Sequence, residues 1–336
     1  MDFDSETKGL CPYFVGRYFR DLKNCDSPEW LQRKLNTIGL RPISALVDIT
    51  NLITFAYGRP LHVFDADKVN SDIRVRLSRP GEKLLALDGN EYILEDSMTV
   101  IADEIKPEGL AGVMGGEESG CTHETTNVFL EAAYFDSVRT ARTGRKLKLQ
   151  SDARFRFERG IDPVFQLPGA ELASHLILEI CGGEASEIII AGEMPDVSRK
   201  YFLREDRVRE LGGVDVPTQE IERILTVLGF ALERQTNGWD CSVPSWRHDV
   251  EGEADLVEEV LRIYGFNEIP STPLKLETAI PTGAVNQSQE RRTFARRILA
   301  TRGMTEAVTF SFLSGEHAKL FGGCLLYTSP SPRDRG

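Results

Sequence analysis

Six acids, Asp249, Glu251, Glu253, Asp255, Glu258 and Glu259, crowd one short interval that holds no Lys or Arg. On a helix Asp255, Glu258 and Glu259 stand at i, i+3 and i+4 and share one face, with Leu256, Val257, Val260, Leu261 and Tyr264 opposite. Like charges so placed repel by about 0.2–0.5 kcal/mol per pair. A hard cation held by carboxylate oxygens reverses that cost, and Mg²⁺ typically takes a few carboxylates and keeps several waters. Asp249, just before the helix, supplies another oxygen. The competing reading is a solvated acidic face that complements the positive end of the helix dipole. The pattern alone leaves both open.

The opposite charge gathers between Arg139 and Arg159. There Arg139, Arg142, Arg145, Lys146, Lys148, Arg154, Arg156 and Arg159 stand against only Asp152 and Glu158, a local +6 in a chain of net −12. Such a patch can hold RNA phosphates, with Phe155 and Phe157 interleaved as stacking surfaces. Equally, the arginines pair with acids elsewhere and the phenylalanines belong to the core.

Two single residues stand out. Glu131 interrupts the apolar run Val128-Phe-Leu-Glu-Ala-Ala133. A buried carboxylate is costly unless paired or hydrogen-bonded, so it either faces solvent from an edge strand or lines a pocket. His62, in Gly58-Arg-Pro-Leu-His-Val-Phe-Asp65, is either a structural residue or a proton-handling one. The glycine-rich stretch from Gly109 to Gly120 has neither a Gly-Lys-Ser/Thr ending nor GxGxxG spacing, so its glycines serve tight turns or close backbone approach. A GxSxG elbow, HExxH and Cys/His zinc spacing are all absent. Hydrolysis in this chain would therefore work through positioned water.

The elements that must position these groups come from 336 residues, enough for two or three domains. Hydrophobic residues at 41% and charged ones at 27% match ordinary folded domains. Six cysteines without a CxxC pair fit reduced thiols in a cytosol. No run approaches 18 apolar residues and the first residues are acidic, so neither a membrane span nor an export signal is expected. The negative net charge confines any nucleic-acid contact to local patches.

The periodicities read as an α+β protein. Residues 1–195 mix strand-like runs, such as Arg74–Leu77 and Met98–Ala102, with helices such as Leu172–Ile180, which Cys181-Gly182-Gly183 stops. Residues 200–275 form a smaller unit. Its first helix starts near Pro217, carries the stripe Ile221, Ile224, Leu225 and Leu228, and ends at Gly229. A hairpin turning at Asn237-Gly238 and a helix over Ala254–Tyr264 follow. Pro270, Pro273 and Pro281 mark a linker. From 276 to 323 a third unit begins with a basic helix, Gln287–Arg302, and a strand alternating at Val308, Phe310 and Phe312. Residues 324–336 have no structural period and read as a translated sequencing adapter, outside fold and function.

Five segments, Pro42-Ile-Ser-Ala-Leu-Val-Asp48-Ile-Thr-Asn51, Arg59-Pro-Leu-His-Val-Phe-Asp65, Val113-Met-Gly-Gly-Glu117, Phe157-Glu-Arg-Gly-Ile-Asp-Pro163 and Pro244-Ser-Trp-Arg-His-Asp249, together closely resemble the bacterial phenylalanyl-tRNA synthetase β-subunit family. The resemblance runs from about Cys11 to Gly323. It implies a large mixed editing domain, then a small helix-hairpin-helix domain of winged-helix type, then the start of a class II synthetase-like antiparallel-sheet domain. It implies hydrolysis of tyrosine mischarged onto tRNA(Phe), while ATP-dependent charging belongs to the α subunit of a cytoplasmic α2β2 assembly. Regions of the family that bind transfer RNA and its anticodon would precede Met1 and follow Gly323, so the chain is expected to be an internal fragment that does not charge tRNA alone.

The same resemblance implies site residues. It carries a Mg²⁺ site, at the boundary with the α subunit, onto Asp249, Asp255, Glu258 and Glu259. It carries an editing pocket onto Arg41, His62, Gly115, Glu131, Ser151 and Ala153, with Ser151 where many relatives have Thr. The logic is sound, because a hydrophobic phenylalanine pocket cannot strongly reject an analogue that merely adds a hydroxyl, and a second sieve is needed. Glu131 would receive the tyrosine phenol. His62 would orient water or stabilise the developing oxyanion, and Gly115 would allow close backbone approach. The alternative is a non-hydrolytic scaffold for α-subunit assembly. His62 and Glu131 gathered at one cavity favour hydrolysis; side chains held apart favour the scaffold. A free-standing editing factor would lack a synthetase-like strand after Gly303, where Glu306–Leu313 reads as one.

Overall fold

Strand β1 (Tyr13–Arg20), buried without a break from Tyr13 to Gly16, opens the chain's largest sheet. Helices α1 (Glu29–Thr37) and α2 (Ala45–Tyr57) follow, then β2 (His62–Asp65). Five short strands come next: β3 (Arg74–Leu77), the hairpin β4 (Lys83–Leu85) and β5 (Glu91–Ile93), β6 (Thr99–Ala102) and β7 (Pro107–Leu110). After β8 (Met114–Gly115) and β9 (Val128–Tyr134) the chain turns helical, with α3 (Ser137–Leu147), α4 (Asp152–Phe157) and α5 (Gln166–Cys181). The edge strands β10 (Glu184–Ala185) and β11 (Ile189–Gly192) complete this part. The computed structural model describes residues 9–273 and 284–320. It is an α+β architecture in which every paired strand is antiparallel.

The large sheet runs β10-β1-β9-β2, with β11 also on β1, so β9 is flanked on both sides. Because side chains alternate along a strand, β9 serves two cores. Val128, Leu130 and Ala132 pack with Leu31, Ile49, Ile53 and Ile177 of the helical layer. Phe129 and Ala133 face the other way, toward Phe64, Val75, Ile101 and Phe157. Truncating Ile49 or Leu130, both fully buried, to Ala would cost about 2–5 kcal/mol. A second sheet, β3-β6-β7-β8, covers that other face and bends at a register shift between Ile101 and Ala102.

A smaller sheet follows within the same compact unit, Met1–Pro270. Strand β12 (Lys200–Arg204) leads into α6 (Arg207–Gly212) and α7 (Thr218–Val227). The hairpin β13 (Ala231–Gln235) and β14 (Gly238–Ser242) precedes α8 (Glu253–Tyr264). Strand β14 lies between β12 and β13, and Leu203, Ile224, Leu225, Trp239, Leu256 and Val260 share one core. This part is tied to the preceding loop: Arg199 donates to the carbonyls of His248 (3.2 Å) and Val250 (2.9 Å), and His248 Nε2 lies 2.9 Å from the Ile161 carbonyl.

The hairpin turn differs from its expected place by one residue. Gln235 pairs with Gly238, so Thr236-Asn237 is the turn, and Asn237 does not take the left-handed conformation that an Asn-Gly turn uses. Gly238 is needed for another reason: a Cβ there would lie 2.9 Å from the Phe202 ring and 3.0 Å from Arg204 Cα on β12. The expected helices near Pro217 and over Ala254–Tyr264 form as α7 and α8.

Ser271–Gly336 forms a second unit. Helix α9 (Gln287–Thr301) is closed at its start by reciprocal Asn286 and Gln289 side-chain bonds, and α10 (Gly315–Leu320) follows. The strand expected at Val308, Phe310 and Phe312 does not form; Val308 and Phe310 are 96% and 94% exposed. Alternation marks a surface that fits a ladder, and among the described residues no neighbouring strand supplies one. Pro281 and residues 324–336 lie outside the described residues.

Candidate active site

Strands β2 and β9 are in antiparallel register with His62 directly opposite Glu131. Both side chains point to the same face, over which β7 and β8 fold, and line a cavity of about 70 Å³ with Gly115, Met114, Ala153 and Phe157. The sequence left Glu131 on an edge or in a pocket; flanked by β1 and β2 and 4% exposed, it is in the pocket. Glu131 Oε2 and His62 Nε2 are buried without a hydrogen-bond partner among the described residues. Unmet buried polar atoms are costly, and two of them facing one cavity mark it as a place for a polar ligand.

Burial sets the charge states. It pushes the Glu131 carboxyl up to about 8, against the opposing pull of Arg59. It pulls His62 down to about 4, so the imidazole is neutral at pH 7. The His62 ring rests edge-on against Phe64, with centroids 4.4 Å apart. A Cβ on Gly115 would lie 2.8 Å from His62 Nε2 and 3.2 Å from Leu87 Cδ1, so only glycine lets β8 come this close to the ring.

Sequence reasoning passed over Arg59. It stands between Gly58 and Pro60 and is only 1% exposed. Its Nη2 donates to the Ala133 carbonyl, two residues along β9 from Glu131 and on the same face. Nε and Nη1 have no partner among the described residues. The guanidinium lies 5.9 Å from the Phe157 ring centre, and burial lowers its pKa to about 10. No periodicity in the sequence signals this; only the fold brings Arg59 beneath the cavity.

The remaining expected pocket residues divide. Ala153 lines the cavity. Ser151 caps α4, accepting from Arg154 N at 3.0 Å and donating to the Val113 carbonyl, so its hydroxyl holds the wall and is not spent inside. Arg41 is exposed on the loop between α1 and α2 and is not among the cavity's lining residues.

The acidic helix also differs from its expected form. Glu259 is buried with the apolar face, 6% exposed. Arg247, just outside the acidic interval, bridges Asp249 (2.6 and 2.8 Å) and Glu259 (2.7 Å), and Arg262 adds a second contact to Glu259 at 2.7 Å. Glu253 pairs with Arg204 and Arg207. Asp255 accepts from Glu251 N at 2.8 Å. Of the three acids expected to repel, Glu259 is thus neutralised by guanidinium groups that the helical pattern does not show. Among the described residues no three His, Cys, Asp or Glu side chains are placed to hold a metal. With a guanidinium between Asp249 and Glu259, the arrangement does not fit a divalent ion.

The basic run splits in two. Arg154, Arg156 and Arg159 pair with Glu158 or Asp152, Lys146 pairs with Glu95, and Phe157 is core. Phe155 stays 55% exposed.

Residues 10–182 match the B3/4 domain, and residues 201–266 match the tRNA synthetase B5 domain. The chain is 56% identical over 323 residues to the phenylalanine--tRNA ligase beta subunit of Paramagnetospirillum magneticum, covering 96% of this chain and 40% of that protein. It is 52% identical over 324 residues to that of Ruegeria pomeroyi, with the same coverage. The chain therefore spans about 40% of the length of these curated relatives. An N-terminal fragment of the phenylalanyl-tRNA synthetase beta-subunit from Pyrococcus horikoshii aligns over 78% of this chain and 73% of its own, at 16% identity and a TM-score of 0.37, too slight a likeness to argue from. With the B3/4 domain spanning more than half of its length and the B5 domain following in order, the chain belongs to the phenylalanine--tRNA ligase beta-subunit family.

Proposed function

We propose that the His62–Glu131 cavity hydrolyses tyrosyl-tRNA(Phe), as the proofreading site of a cytoplasmic α2β2 phenylalanine--tRNA ligase whose α subunit charges tRNA(Phe) with ATP. The observation that carries this reading is the pairing of two unpartnered buried polar groups on adjacent strands at one cavity. Side chains held apart would have favoured a scaffold role.

Glu131 meets the phenol. In an apolar wall, a group that hydrogen-bonds a hydroxyl rejects an analogue lacking it far more strongly than an apolar pocket rejects an added hydroxyl. Phenylalanine leaves Glu131 unmatched, so its ester is spared. His62, neutral at working pH, orients the attacking water by a hydrogen bond at Nε2. Water oxygen bonds to the ester carbonyl carbon, the bond to the ribose oxygen breaks, and that oxygen takes the proton; tyrosine and intact tRNA leave. The Gly115 backbone gives the ester room beside the ring. No step here is assigned to Mg²⁺, which the Asp249–Glu259 arrangement does not fit.

The test is hydrolysis of Tyr-tRNA(Phe) against Phe-tRNA(Phe) by the chain and by its His62→Ala variant. Selective hydrolysis that the variant loses is expected. Equal treatment of both esters, or selectivity that survives His62→Ala, overturns the assignment.

A further inference from the structure

The last turn of α3 and helix α4 are pinned together at one close contact. Arg154 crosses Gly144 and donates to the Leu149 carbonyl, which seats α4 against α3. One end of α4 thus reaches the cavity through Ala153, while Phe155 and Arg159 face outward over an open depression of about 480 Å³. The Arg159 guanidinium lies 3.8 Å from the Phe155 ring centre, a flat cationic and aromatic surface.

Beside it runs a stripe of cations. Thr140, Ala141, Thr143 and Gly144 bury the inner face of α3, leaving Arg142, Arg145 and Lys146 exposed and Arg139 half-buried. Positions 139, 142 and 146 stack along one helical face, about 10 Å at 1.5 Å per residue. Arg139, Arg142, Arg145 and the capping Lys148 have no ion pair or side-chain hydrogen bond among the described residues. In the neighbouring segment Arg154, Arg156 and Arg159 each find an acid instead. The unpaired Arg139, Arg142 and Arg145 of α3, with the exposed Phe155 on the helix packed against it, complement a polyanion that carries flat bases.

We propose that the outer face of α3, with Phe155 and Arg159, is the landing surface for the single-stranded 3′ end of the tRNA whose terminal ester enters the His62–Glu131 cavity. This rests on the hydrolytic reading above for what the cavity does, but the surface is tested separately. Arg139, Arg142 and Arg145 take phosphates; Phe155 takes a base.

Two substrates separate the two claims: Tyr-tRNA(Phe), and 2′(3′)-O-tyrosyl-adenosine, which has no phosphate. The variants are Arg139→Gln/Arg142→Gln/Arg145→Gln, its all-Glu counterpart, and Phe155→Ala, each checked for native circular dichroism. The all-Glu variant is expected to bind tRNA(Phe) at least 10-fold more weakly. The triple-Gln variant should flatten the slope of log affinity against log salt by about two. Phe155→Ala should weaken binding about 10-fold. The two arginine variants, which lose only phosphate contacts, should hydrolyse tyrosyl-adenosine as the parent does. Unchanged tRNA affinity in the folded variants overturns the surface, as does loss of binding to poly-glutamate with RNA binding intact, which would reassign it to an acidic protein partner. If the parent leaves tyrosyl-adenosine intact, the hydrolytic reading fails, while the RNA affinities still decide the landing surface.

Discussion

His62 and Glu131 are cross-strand partners on β2 and β9, so their side chains emerge on one face of the sheet about 5 Å apart at Cβ. Their environments push them in opposite senses: both are held neutral by burial, one by gaining a proton and the other by losing it. Hydrophobic walls and two uncharged polar groups thus face one cavity, where a hydrogen-bonding ligand would meet no charge.

Opposed shifts give opposed pH slopes. Glu131 binds its proton up to about pH 8 in the native protein but releases it near 4.5 when unfolded. Between those values the native state holds more protons, so stability falls as pH rises. His62 titrates near 6.5 unfolded and about 4 folded, so its contribution is lost as pH falls from 6.5 toward 4. Groups facing Glu131 are Arg59, His62 and Cys11, the last a buried thiol pushed up to about 12. Glu131→Gln should therefore remove the alkaline decline, its Tm advantage over the parent growing from pH 5 to pH 8. Thermal melts across that range, showing a constant difference, would refute the burial account of Glu131.

Glu131→Ala leaves no group for the phenol. The ratio of kcat/KM for tyrosyl over phenylalanyl esters should drop about 5- to 150-fold, since a lost hydrogen bond to a buried hydroxyl is worth about 1–3 kcal/mol. An unchanged ratio would remove Glu131 from recognition.

Arg59 lowers the Glu131 pKa that burial raises. Arg59→Met keeps the volume and removes the charge, so Glu131 should hold its proton to still higher pH. The alkaline midpoint of the hydrolysis profile should move up relative to the parent. A merely structural Arg59 would change Tm without moving that midpoint.

At Gly115 an added methyl meets the far end of the His62 ring, 2.8 Å from Nε2. A ring can tilt away, so Gly115→Ala should cost little stability, about 1 kcal/mol, while displacing the group that orients water. Hydrolysis should fall at least 10-fold with Tm shifted by only a few degrees. A variant that works normally contradicts the close approach, and one that unfolds shows that the ring cannot tilt away.

Much of this was legible in the residues. The helical stripes at Ile221–Leu228 and Leu256–Leu261 and the strands at Arg74 and Thr99 follow from period, whereas the pairing of His62 with Glu131 comes only with the family resemblance, their own context leaving each open. What was not legible depends on partners far apart in sequence. Arg59 meets Ala133 across 74 residues, and nothing local marks it as buried. The alternation at Val308–Phe312 lacked a neighbour to pair with, and the Asn-Gly signal was displaced because Gly238 answers a packing demand from β12. The charge runs hide their partners too: within 249–259 no cation is visible, yet Arg247 meets Asp249 and Glu259, and Arg204 and Arg207 meet Glu253, in space.

Arg247 makes the sharpest of these points testable. Its side chain is 18% exposed and bridges Glu259, 8% exposed, to the more open Asp249, 66% exposed. Arg247→Ala leaves a buried carboxylate with only Arg262 and restores repulsion between two acids. The loss should be about 2 kcal/mol, less than the 3–5 kcal/mol of a fully buried pair because Asp249 faces water. Removing the guanidinium also frees carboxylate oxygens for a hard cation. Millimolar Mg²⁺ should therefore raise the Tm of Arg247→Ala and leave the parent unchanged. If Mg²⁺ stabilises the parent equally, the ion and the arginine share the acids, and the bridge described here gives way when metal arrives.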